Sequence, residues 1–141
     1  MAIPHTMFGE YYIQVTVPAL AAGSATQEDP LFYAPVNCEL LAVRVVPQAA
    51  VVGNDAARYN LNLVDKGLAG AGVAEIGNLD LATGTDLVAA AATAIPVTAT
   101  AGAQGHVLHA GDAVTLQREL VGGGVNIPEL LVCMAFREYG V

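Results

Sequence analysis

The sequence predicts an all-β protein, an antiparallel β-sandwich of the jelly-roll type with about eight strands. Three observations carry this. Short runs of β-branched and aromatic residues recur along the chain between Gly, Pro, Asn and Asp clusters, the punctuated pattern of a sandwich or barrel. Helical patterning is thin. The 141 residues suit one domain, with no repeat at the 20 to 50 residue periods of solenoids and no second compositional zone.

The expected strands are "YYIQVTV" (11–17), "LFYAPV" (31–36), "ELLAVRVV" (39–46), "RYNLNLVD" (58–65), "VAEIGNLDL" (73–81), "AIPVTA" (94–99), "AVTLQREL" (113–120) and "ELLVCMAFRE" (129–138). Alternation is clearest in the fourth, where Tyr59, Leu61 and Leu63 share one face and Asn60, Asn62 and Val64 the other, which should be wet. The last strand is apolar or soft at every position from Leu130 to Phe136, so both of its faces should be covered. Its outer face is a candidate contact for another subunit or partner, unless a loop or the N-terminal arm lies over it. The stretches 22–30 and 48–57 read as connections, and "DLVAAAATA" (86–94) as a loop or short helix confined by Gly84 and Pro96. The domain is expected to span 11–141, preceded by an arm over 1–10.

Composition narrows the partners. Five Lys+Arg against 13 Asp+Glu give a formal charge of −8, which repels a phosphate backbone, so nucleic acid is not expected. Hydrophobic residues reach 55%, above the usual value of about 45–50%. The most apolar window, "LVAAAATAI" (87–95), falls far short of the roughly 18 residues of a membrane span, and the start shows no basic and apolar signal-peptide pattern. Cover by protein rather than lipid is therefore expected. Cys38 and Cys133 lie in apolar runs and read as two small buried hydrophobes. The absence of an N-x-[ST] sequon agrees with an intracellular origin.

Chemistry-bearing motifs are few. In "HVLHAGDAV", His106, His109 and Asp112 could form a cupin-like metal site, yet histidines three apart on a strand point to opposite faces. Gly111 and Asp112 suit a tight turn, the reading preferred here. "DKGLAGAGVAEI" (65–76) lacks the ending of a phosphate loop, and "DLATGTD" (80–86) lacks the terminal glutamate of a calcium loop. Ser24, the only serine, has no nucleophile-elbow context, and neither cysteine is flanked by a group that lowers a thiol pKa. Glu28 and Asp29 look like solvated loop charge. Nothing requires a reaction, a metal or a cofactor.

The segment "PLFYAPVNCELLAVRVVPQAAVVGNDAARYNLNLVDKGLAGAG" (30–72) resembles small capsid decoration, or cement, proteins of tailed bacteriophages. The shared rhythm is an aromatic-Ala-Pro entry, a strand ending in "VVP", a Gly-Asn-Asp connection and an alternating strand closing in "DKG" before a glycine loop. "HAGDAVTLQRE" and the apolar last strand continue it over most of the chain. The resemblance implies a jelly roll made in the host cytoplasm that binds the outer capsid surface of the virion as a homo-oligomer. Its partner is then the major capsid protein, whose neighbouring subunits it bridges; no catalytic residue carries over. A dimer is favoured among oligomers because two-fold symmetry is commonest. Ile3, Pro4, Met7, Phe8, Tyr11 and Tyr139 are the candidate capsid or subunit contacts. The alternative is a carbohydrate- or receptor-binding sandwich on a virion, using Tyr11, Tyr12 or Tyr59.

Overall fold

A computed structural model describes residues 9–139. Nine strands are found among them: β1 (Tyr11–Val17), β2 (Gln27–Tyr33), β3 (Cys38–Pro47), β4 (Ala57–Gly67), β5 (Ala74–Asp80), β6 (Thr93–Ile95), β7 (His106–Leu108), β8 (Ala113–Gly122) and β9 (Leu130–Glu138). One antiparallel sheet runs β1-β9-β3-β6, with β7 also on β3, and the other runs β2-β8-β4-β5. The pairs nest, β1 with β9, β2 with β8, β3 with β6 and β7, and β4 with β5. A long hairpin rolled on itself has this nesting, and the rolling adds the β3–β9 and β4–β8 pairings. The chain is therefore a jelly-roll sandwich. Strands β6 and β7 together fill one position, β6 against Val43–Val45 and β7 against Cys38–Leu40.

The core follows from alternation. Leu130, Val132, Met134 and Phe136 of β9 point inward, as do Leu61 and Leu63 of β4 and Val114 and Leu116 of β8; all are buried. Phe136 links the layers at one end, its ring 5.0 Å from that of Phe32 and 5.4 Å from that of Tyr11. Tyr59 is fully buried, and its hydroxyl donates to the carbonyls of Ser24 at 2.7 Å and Ala21 at 3.1 Å. It belongs to the core, which removes it from any exposed sugar platform.

Several elements differ from the sequence expectation. The second strand covers Gln27–Tyr33 rather than 31–36, leaving Ala34–Val36 as a loop. A polar strand with a proline is tolerated there because β2 is an edge, and its acids find partners: Glu28 takes Thr115 and Lys66, and Asp29 takes Arg118. These are paired groups, not loose solvated charge. The sixth strand stops at Ile95, since Pro96 lacks a backbone N–H, and Val97 then bridges to Gly77 of the other sheet. Of the two forms expected over 86–94, a loop rather than a short helix is found, and it ends where β6 begins at Thr93. Leu87 is instead held extended by two backbone bonds to Val51 and buried, whereas Val88 and the alanines at 89–92 are exposed and offer no face to pack. The face of β4 expected to be wet is polar but covered: Asn62 is only 1% exposed, bonded to Asn78, Gln117 and Glu119.

The "HAGD" segment is a turn. The Asp112 amide donates to the His109 carbonyl at 2.9 Å, its carboxylate accepts the His109 amide at 2.9 Å, and Gly111 has φ +94°. A positive φ at the third turn position is what a type II turn demands. Gly111→Ala is expected to cost about 1–2 kcal/mol, because an L side chain strains that backbone region. Urea denaturation checks this; an unchanged midpoint would mean the turn takes another form.

Candidate functional site

The outer face of the β1-β9-β3 layer forms a continuous surface built by register. Alternation turns Tyr12, Gln14 and Thr16 of β1 outward, and pairing sets them beside Ala135, Cys133 and Leu131 of β9. The next strand continues the rows with Ala42, Arg44 and Val46. Two alanines in the middle of the first row leave a shallow depression of about 250 Å³ beside Tyr12, reaching Cys133 and Arg44. Tyr12 stands proud of it, 73% exposed, its hydroxyl donating to Glu10 at 2.8 Å. That bond raises the phenol's pKa, as does the Glu10 charge.

Among the described residues, cover on this face comes only at one end. Glu39 points outward from β3 yet is buried beneath the β6–β7 connection, where its carboxylate accepts the amides of Gln104 and Gly105 at 3.0 Å and the Nε–H of Arg137. Gly105 is required there, since a Cβ would lie 2.2 Å from the Leu40 carbonyl oxygen. Leu131 and Cys133 remain half-exposed. The expected full cover of the last strand is thus not supplied by the described part of the chain.

A second feature adjoins the first around the start of β1. Tyr11, Pro35, Val36, Phe136 and Glu138 line an apolar notch of about 260 Å³. The β1–β9 register brings Tyr11 opposite Phe136, and the Tyr139 amide bonds the Asn37 carbonyl at 3.1 Å. Tyr11 and Tyr139, distant in sequence, therefore share one end of the sandwich with the β2–β3, β4–β5 and β7–β8 connections. Exposed Tyr33 and Leu68 flank Gly111 at the same end. Pro35 and Val36 were not singled out by the sequence, because "LFYAPV" reads as strand throughout; Pro35 was the signal that it breaks. Ile3, Pro4, Met7 and Phe8 lie outside the described residues.

The other candidate chemistries do not assemble. The Nε2 of His106 pairs with Asp65 at 3.0 Å across the two sheets, and Asp112 is spent on its turn. Among the described residues no group of three or more His, Cys, Asp or Glu side chains is arranged to hold a metal ion. In 80–86, Asp86 accepts the Gly53 amide rather than turning toward its neighbours. Cys38 and Cys133 are unbridged; the former faces the core, where burial first and the Asp112 charge second push its thiol up to about 11. Cys133 faces out, contrary to the expectation of two buried residues. No helix among the described residues is long and apolar enough to cross a membrane.

Comparison with known proteins finds no matching family model, curated protein or solved structure.

Proposed function

We propose that the protein is a structural virion component that binds the outside of an icosahedral phage capsid as a homo-oligomer and cements neighbouring major capsid subunits. The observation that carries this reading is the outer face of β1, β9 and β3, a shallow surface on which Tyr12, Ala42, Ala135, Cys133, Leu131 and Val46 lie among the polar Gln14, Thr16 and Arg44, with the apolar notch at its end. Shallow and apolar over much of its area, such a surface suits protein better than a small molecule, which favours a deep concave site. The sandwich beneath supplies rigidity. A modest contact of this kind is sufficient on a lattice, where repetition and bridging raise the effective affinity without an exceptional single interface. The rhythm of residues 30–72 supports the same reading.

The test is the copy number of this polypeptide in purified particles, by quantitative mass spectrometry against the most abundant shell protein. A simple lattice ratio is the expected result; a handful of copies or none would sink the reading. Deletion of residues 2–10, which removes Ile3, Pro4, Met7 and Phe8, is expected to weaken shell binding while leaving the melting temperature nearly unchanged.

A further inference from the structure

We infer that β1 is a self-pairing edge: two copies of this chain join by antiparallel β1–β1 pairing about a two-fold axis at Gln14, making one sheet continuous through both. This does not rest on the capsid reading, and either can fail alone.

A sandwich has four sheet edges, and an unguarded edge is a template for another strand. Three edges here are guarded. Strand β2 carries Glu28, Asp29 and Pro30 and a register shift between Pro30 and Phe32. The edges at β5 and β6 close on each other through the Gly77–Val97 bridge and the bond from the Thr98 amide to the Ile76 carbonyl at 2.7 Å. Strands β6 and β7 have only three residues each. Strand β1 has none of these devices. Its seven residues hold no charge, proline or glycine, and its register with β9 runs without a shift. Among the described residues, the backbone from Tyr12 to Val17 has no strand partner besides β9.

The burial pattern along this edge is a second observation. Ile13 and Val15 face the core and pack against it, yet stay half-exposed, whereas Val132 and Met134, their neighbours on β9, are 0% and 2% exposed. Strand β9 covers one flank of these residues, and no described strand covers the other.

A second copy is the occupant that both charge and pattern favour. Two chains of formal charge −8 repel, so they meet best where neither carries charge. Strand β1 is that place; β2 and β5 each present two acids, Glu28 with Asp29 and Glu75 with Asp80. The strand is also self-complementary. Centred on Gln14, antiparallel pairing sets Tyr12 against Thr16 and Ile13 against Val15, keeping inward residues inward and outward residues outward. The Gln14 side chains meet at the axis, each able to donate to and accept from the other. The two outer faces become one surface.

The experiment is sedimentation velocity on the full chain across micromolar concentrations, with Gln14→Lys, Gln14→Glu and their equimolar mixture. The wild type is expected to dimerise. Each variant alone sets like charges against each other at the axis and is expected to weaken the dimer at least about tenfold, while the mixture, with opposite charges there, recovers it. Gln14 is exposed, so an unchanged circular dichroism spectrum should show that both variants fold. A monomeric wild type, variants that associate like wild type, or a mixture that fails to recover would each overturn the proposal.

Discussion

Replacing Arg118 by alanine is expected to destabilise the protein by about 3–5 kcal/mol, the range for breaking a buried ion pair from one side. Arg118 points into the core from β8 and is 0% exposed. Its guanidinium donates to the Pro18 carbonyl at 2.7 Å and to the Asp29 carboxylate at 2.8 Å, and its Nε is buried without a partner. Alanine would strand both acceptors and leave a void between the sheets. Arg118→Met fills that void and removes the unsatisfied Nε, so it is expected to lose clearly less. The side chain of Asp29 is one-fifth exposed, so Asp29→Ala should cost less than Arg118→Ala, with a double-mutant cycle showing coupling between the sites. Chemical denaturation decides it. A loss below about 1 kcal/mol for the alanine variant would mean that the guanidinium is not an internal tie. What Arg118 ties is specific: Pro18 follows β1 and Asp29 lies in β2, so one side chain fixes how the chain leaves the exposed edge and enters the other sheet.

How far the sequence discloses this architecture depends on whether local pattern or distant partners decide each element. Strands β1, β4 and β9 are legible because their apolar residues alternate or run on, although the fold covers the Asn face of β4 and leaves the outer face of β9 partly open. Burial of Arg118 is legible in principle, since Leu116 and Leu120 lie two residues to either side and share its face. Strand β2 is hidden for the complementary reason. "QEDP" looks like a loop until Arg118, Thr115 and Lys66, some 40 to 90 residues away, are set against its acids. The outer face divides in the same way. Apolarity of the last strand on both faces is plain, and so is the absence of charge in β1. The rows Tyr12–Ala135–Ala42 and Gln14–Cys133–Arg44 depend on pairing register between distant strands, which no local pattern encodes. Tyr59 shows the opposite case: its shared face with Leu61 and Leu63 already placed it inside, which argues against a role in binding sugar.

Glu39 supplies the second large effect, and its sign follows from linkage. Burial raises its carboxyl pKa, but the Arg137 hydrogen bond, the amides of Gly105 and Gln104 and the Arg137 charge together outweigh this and hold it below the ordinary value of 4.5. A carboxyl depressed in the folded state contributes stability that is complete above its unfolded value and is lost as pH falls through the folded one. Wild-type stability should therefore fall as pH drops below about 4.5. Glu39→Gln keeps the size but replaces an acceptor-only carboxylate with an amide, and is expected to cost about 1.5–3 kcal/mol at neutral pH, the worth of a hydrogen bond to a charged group. At pH values below the folded pKa the wild type is protonated too, so the two proteins should converge. Glu28, lowered chiefly by the Thr115 hydroxyl and further by Lys66 although burial opposes them, adds loss in the same direction in both. The difference between their stability curves, measured by urea denaturation from neutral to acid pH, therefore isolates Glu39. Curves that stay parallel through the acid range would mean that the charge of Glu39 does not hold the β6–β7 connection against the outer face.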